Sequence, residues 1–159
     1  MIVVSDTTPV HYLLLIDQID LLPALFGRVV VPPGVLAELR HPGSPDVVRT
    51  WSDAAPAWLE VRAPAAVDST LRLGRGETEA ISLALEVGAD EVLIDDMQAP
   101  KAALACGLKV AGTLLVLDRA ARQELVELAE VLRRLMQTSF RAPAELVRRL
   151  LAADAQRER

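Results

Sequence analysis

Cysteine is nearly absent from this chain of 159 residues, with Cys106 the one example. A lone thiol excludes an internal disulfide framework and any zinc site built on cysteines. Between Ala105 and Gly107 it reads as a small core residue. Histidine is as scarce. His11 stands in an apolar stretch and His41 precedes Pro42-Gly43, without the spacing of paired metal ligands. Aromatic residues make up 3% of the chain, so stacking of nucleobases on exposed rings is not a visible theme. No run of about 18 apolar residues occurs, which argues against a membrane span. No basic segment precedes the apolar residues 2–4, which predicts no secretory signal and a cytoplasmic protein. Gly74-Arg75-Gly76 lacks a clear preceding strand and a third glycine, and predicts no phosphate loop. Repeats, low-complexity segments and linkers are missing too, so the chain reads as one domain over 1–159.

What is present is apolar. Hydrophobic residues make up 52% and charged residues 25%, with a mean hydropathy of +0.29, which excludes disorder for most of the chain. A chain of this length buries about two-thirds of its unfolded surface and needs no staples. The formal charge of −5 is unevenly spread. Residues 1–118 carry 8 Lys and Arg against 16 Asp and Glu, whereas residues 119–159 carry 9 Arg against 6 acids. The acidic part is either a solvated surface or a site whose charge bound cations would cancel. The Arg-rich end is either solvated or available to phosphate.

Short apolar, β-branched runs alternate with helical patterns. Strands are predicted at 2–4, 28–31, 58–61, 91–94 and 108–111. Helices are predicted at 10–16, around 21–26, from Pro32-Pro33-Gly34 to about 40, and at 46–54, 77–87, 99–105, 114–121, 124–136 and 143–153. Thr7-Thr8-Pro9 supplies a helix start, and Gly88 and Gly107 supply stops. Residues 63–75 carry few periodic signals. Strands apolar on both sides and separated by helices imply a parallel sheet covered on both faces. In such folds ligands bind beyond the carboxyl ends of the strands, near the switch in strand order.

The first strand ends in Ser5-Asp6 and the fourth in Asp95-Asp96. If these strands are neighbours, three carboxylates converge at one edge. Like charges brought together resist joint ionisation, and a hard divalent cation such as Mg2+ or Mn2+ removes that cost. The alternative is that Asp6, Asp95 and Asp96 cap the helices that follow. Adjacent strand residues point to opposite sides, so Asp95 and Asp96 do not both ligate one ion directly unless the chain turns there. Glu77 shares a helical face with Ala80, Ile81, Ala84 and Val87, whereas Glu79 lies on a more polar stripe, so Glu77 is the preferred site residue, the alternative being a favourable charge at a helix N-terminus. Glu38 sits late in a short helix, where a carboxylate opposes the helix dipole and stability gives it little reason to exist; the alternative is a solvated surface glutamate.

These segments, taken in order, resemble a family. Val4-Ser5-Asp6-Thr7-Thr8-Pro9, Val29-Val30-Val31-Pro32 with Glu38, Gly76-Glu77-Thr78-Glu79-Ala80, Leu93-Ile94-Asp95-Asp96 and Gly107-Leu108-Lys109-Val110-Ala111-Gly112-Thr113 are similar to motifs of the PIN-domain superfamily. The nearest likeness is to short, stand-alone prokaryotic members related to VapC toxins, and it runs from about residue 2 to 120. The resemblance implies a three-layer α/β/α fold with a mostly parallel sheet, here with helices appended over about 121–159. It implies a ribonuclease that hydrolyses RNA phosphodiester bonds with Mg2+ or Mn2+. Asp6, Glu38, Glu77 and Asp96 match the family's acids, with Asp95 beside the last, and Thr8 matches a hydroxyl that supports the first. Asp6, Glu77, Asp95 and Asp96 are the metal candidates. Lys101, Arg133, Arg134 and Arg141 are candidates for positioning phosphates, because the Arg-rich stretch that members carry after the Asp pair is here Met97-Gln98-Ala99-Pro100. The resemblance also implies a small antitoxin partner, and the apolar helices offer a surface for it or for a homodimer. The alternative is a catalytically weak or inactive PIN fold that acts through protein contacts. A phosphoacceptor receiver, which also uses an acidic Mg2+ pocket on a doubly wound sheet, places its acids and lysine in a different order.

Overall fold

The computed structural model describes residues 1–95 and 98–157. Very short apolar strands alternate with helices in the order β1 (Val3–Ser5), α1 (Thr7–Leu15), α2 (Leu21–Phe26), β2 (Val29–Val31), α3 (Pro33–Leu39), α4 (Asp46–Asp53), β3 (Leu59–Val61), α5 (Arg75–Val87), β4 (Glu91–Leu93), α6 (Gln98–Ala105), β5 (Val110–Ala111), α7 (Thr113–Arg122), α8 (Leu128–Met136) and α9 (Ala144–Arg157). The strands form one five-stranded sheet in the order β3-β2-β1-β4-β5. Every pairing is parallel, as strands joined by helical crossovers must be.

Alternation along each strand divides the interior in two. Val3, Val29, Val31 and Leu93 face a core completed by α1, α2, α4, α7 and α8. Their neighbours Val4, Val30, Val92 and Ile94 face a second core built on α5 and α6. Helices on both faces of a parallel sheet make this the expected three-layer α/β/α arrangement. The C-terminal segment belongs to the first core, where Phe140, Leu146, Val147, Leu150 and Leu151 pack as half-buried residues.

Two departures from the sequence reading have physical causes. The predicted helix over 124–136 begins only at Leu128. Glu124 adopts φ +60°, and the Leu125 N–H returns to the Ala120 carbonyl at 2.9 Å. This is the six-residue closure that ends helices, here without the glycine that normally signals it. Over residues 63–75, where periodic signals are few, the chain crosses α5 with a single 3₁₀ turn at Ser69–Leu71 and enters α5 at Arg75. Two α5 side chains pin that crossing: Glu86 accepts from the Ala65 N–H at 2.9 Å and Ser82 from the Asp68 N–H at 3.0 Å.

Candidate functional site

The strand order reverses between β1 and β4, and the carboxyl ends of these two neighbours open the crevice where such sheets bind ligands. Ser5 stands opposite Leu93, and the Asp6 N–H donates to the Leu93 carbonyl at 2.9 Å. Asp6 and Asp95 are thus carried to one edge by hydrogen-bonded strands. α3 and α5 bring Glu38 and Glu77 to the same place.

Electrostatics registers the gathering. Asp6 is 3% exposed, and its pKa is pushed from 3.8 up to about 7, first by burial and then by Glu77, Glu38 and Asp95 against the pull of the Thr7 amide. Asp6 occupies the N-cap position of α1, yet its side chain makes no capping hydrogen bond. Its Oδ1 is buried without a hydrogen-bond partner among the described residues. Capping therefore does not account for Asp6. An ionised oxygen with no donor is costly to bury.

Two of the other acids serve helix ends. The Glu38 Oε1 accepts from the Gly76 N–H at 3.0 Å in the first turn of α5, and Oε2 accepts from the Thr7 hydroxyl. The favour is returned: the Glu79 Oε1 accepts from the Gly34 N–H of α3 at 2.9 Å and Oε2 takes Arg75 at 2.7 Å. α3 begins at Pro32-Pro33 and α5 at Gly74-Arg75, without side-chain caps of their own. Each helix borrows a carboxylate from the other, which satisfies orphan N–H groups and favours charge at a positive dipole end. A Cβ at Gly76 would stand 2.7 Å from Glu38, and one at Gly34 would stand 2.7 Å from Glu79. Glycine is what permits both approaches. Glu38 thus has a stabilising role that its place in its own helix conceals, and Glu79, set aside in the sequence reading, is its counterpart.

Asp95 does the same for α7. Its two oxygens accept from the Thr113 N–H and the Thr113 hydroxyl, each at 2.6 Å. Burial nonetheless pushes its pKa up, against the pull of Thr113 and of the nearby Thr8. The Thr8 hydroxyl is close enough to be felt by Asp95 but lacks full hydrogen-bond geometry with any described residue. Thr7 and Thr113, which hold Glu38 and Asp95, had no sequence signal beyond their place in the first turn of a helix.

Asp96, matched above to one of the family's acids, lies outside the described residues. Among the phosphate candidates, Arg133 and Arg134 are both tied to Glu130. Lys101 is exposed on α6. No group of three His, Cys, Asp or Glu side chains among the described residues could by itself hold a metal ion. What fits a divalent ion is the chemistry of the donors: carboxylates suit a hard cation, and the buried Asp6 Oδ1, which feels the charges of Glu77, Glu38 and Asp95, has no hydrogen-bond partner among the described residues. Asp6 would hold the ion and Glu77 would face it, with Glu38 and Asp95 oriented around them by helix ends.

No curated protein matches the chain. A family model described as a PIN domain, DUF3368, matches residues 2–156. With a nuclease-type fold whose members are in general divalent-metal-dependent hydrolases, and with Asp6 and its neighbouring acids at the switch in strand order, the chain belongs to the PIN-domain family.

Proposed function

We propose that this PIN domain is a ribonuclease that hydrolyses RNA phosphodiester bonds with Mg2+ or Mn2+, and that it is the toxin of a toxin-antitoxin pair related to the VapC type. The observation that carries the first part is Asp6, a buried carboxylate with an unpartnered oxygen, pushed up to about 7 by burial and by three surrounding acids. Such a group costs stability and makes chemical sense as a metal ligand. A bound divalent ion supplies Lewis acidity toward water and the phosphodiester. The chain's own residues do the rest. Asp6 and Glu77 would hold the ion, with Asp96 as the family's further ligand. Glu38, anchored to Gly76 and Thr7, and Asp95, anchored to Thr113, add to the negative field that would draw the ion to Asp6.

The test is RNA cleavage by the wild-type chain and by Asp6→Asn with Mn2+ or Mg2+. Wild-type cleavage should require the ion, and Asp6→Asn should lose at least about 100-fold in rate. Retained cleavage in Asp6→Asn refutes the role of Asp6. A wild-type chain that leaves RNA intact and is not stabilised by Mn2+ is instead an inactive PIN module acting through protein contacts.

The proposed toxin acts in the cytoplasm. No helix among the described residues is long and apolar enough to cross a membrane. Its proposed partners are RNA, a small antitoxin and a second copy of itself. An arginine donated into the acidic pocket would be one inhibitory contact. Expression of the chain alone should arrest growth, and co-expression of a small neighbouring open reading frame should restore it. Size exclusion of the purified chain reports the dimer.

A further inference from the structure

Beside the acidic edge lies a cavity of about 660 Å³, inside the range of roughly 300–1,000 Å³ typical of small-molecule sites. Asp95 and Gly112 form its end at the carboxylates, Pro100, Leu115 and Pro143 supply apolar walls, and Phe140 and Arg141 close it from the C-terminal segment. The wall is therefore mostly apolar, with one acid, Asp95, and one cation, Arg141, in its lining.

Two features make this more than a hollow. The Phe140 ring is held before any ligand arrives. It meets Tyr12 edge to face with ring centroids 5.0 Å apart. The Tyr12 hydroxyl shares a hydrogen bond of 3.0 Å with Ser139, and the Phe140 N–H donates to the Thr138 hydroxyl at 3.1 Å. Phe140 is also the one aromatic side chain that lines this cavity. Arg141 is the second feature. It is exposed and, unlike Arg133, Arg134, Arg148 and Arg157, has no acidic partner among the described residues. An unpaired cation in the lining of an apolar slot complements an anion that carries a flat apolar group.

The geometry points to a nucleotide subsite: the base of one unstacked nucleotide of single-stranded RNA lies on Phe140 among Pro100, Leu115 and Pro143, and Arg141 contacts its phosphate. This rests on the ribonuclease reading and names the part of the substrate that the site grips. A base can enter only if it is out of a duplex, so the subsite selects single strands. The same contacts place the flanking phosphate toward Asp95 and the acidic cluster, and make Phe140 and Arg141 the determinants of binding.

The experiment uses the full chain, with Ca2+ neutralising the carboxylates, and follows fluorescent oligouridylate by anisotropy across a salt series. Arg141→Gln should weaken binding about tenfold and flatten the salt dependence by about one counterion. Phe140→Leu should weaken it about tenfold, and Phe140→Tyr should restore it, because the ring is kept. An oligomer with abasic spacers should bind wild type as weakly as Phe140→Leu binds uridylate, and should not distinguish the two proteins. If Phe140→Leu fails to fold, the exposed Arg141→Gln still decides. Wild-type affinity for RNA in both variants overturns the subsite, and that is the result expected if the cavity takes an apolar peptide segment instead. Equal affinity for a duplex and a single strand overturns it too. The nuclease reading is judged apart, by Mn2+-dependent cleavage with the wild-type chain. RNA binding that needs Phe140 and Arg141 without any cleavage keeps the subsite and removes the nuclease.

Discussion

Asp6 ionises at a cost, and the cost has a sign. In the unfolded chain its pKa is near 3.8 and in the folded chain about 7. The folded state therefore holds the proton more tightly. The stability this confers is fully present below about pH 4 and is lost as pH rises through 7. Asp6→Asn abolishes that dependence. In EDTA it should be more stable than wild type at pH 8, by on the order of 2–4 kcal/mol, with the gap shrinking toward pH 5. Urea denaturation of both proteins at the two values checks this, and a gap that does not grow with pH would show that Asp6 is not strained. Mn2+ should stabilise wild type, by about 2.7 kcal/mol at a hundred times Kd, and Asp6→Asn far less. The same carboxylate that weakens the apo protein is then the one that makes the ion welcome.

At the scale of the element, α3 and α5 exchange carboxylates across their N-termini. Gly76→Ala adds helix propensity worth about 1 kcal/mol but drives a Cβ against Glu38. Glu38 must then give up the Gly76 N–H and the Thr7 hydroxyl, a loss of similar size. In the wild-type background the two effects should nearly cancel. In a Glu38→Ala background only the propensity gain remains, so Gly76→Ala should stabilise by about 1 kcal/mol. A double-mutant cycle by chemical denaturation reads the difference as coupling. Additive effects would mean that Glu38 does not cap α5. Capping in trans also ties the site's acids to the helix ends around them, so the site is as rigid as the α3–α5 pair.

At the scale of the whole molecule, the C-terminal helix is attached by few strong contacts. α9 has no fully buried residue among those described. Its ionic anchor is Asp118 of α7, 2% exposed, which accepts from Arg157 at 3.2 Å as well as from Arg122 at 2.9 Å. Asp118→Ala leaves both arginines without this partner and should cost roughly 1–3 kcal/mol. Hydrogen exchange should speed up most over residues 144–157, since the helix is already at the low-stability end of the fold. Uniform acceleration across the chain would instead mean that α9 unfolds only with the rest. Because Phe140 and Arg141 lead into α9, its attachment also sets how firmly the cavity beside Asp95 is shaped.

Much of the architecture was written in the chain. Runs such as Val29-Val30-Val31 and Val92-Leu93-Ile94 are β-branched or aliphatic on both sides, and between helical patterns they have no stable place except a doubly covered parallel sheet. Asp6 and Glu77 are candidates from the chain alone because one stands where a strand ends and the other where a helix begins, beside an apolar face, and the fold sets Asp6 within reach of the charges of Glu77, Glu38 and Asp95. Gly88 announced a helix end and sits at φ +63°, whereas the left-handed turn at Glu124, which delays α8 to Leu128, falls on a residue that carries no such signal. Strand order was not legible: that β1 lies against β4 depends on which crossovers pack best, a property of the assembled layers. Nor was the use of Glu79 for α3, of Asp95 for α7, or of Phe140 for the cavity, since each joins residues distant in the chain. Local sequence specifies elements through propensity and periodicity, which act over a few residues. Partners are chosen by close packing and by the need to satisfy buried N–H groups and charges, which only the folded tertiary structure brings together.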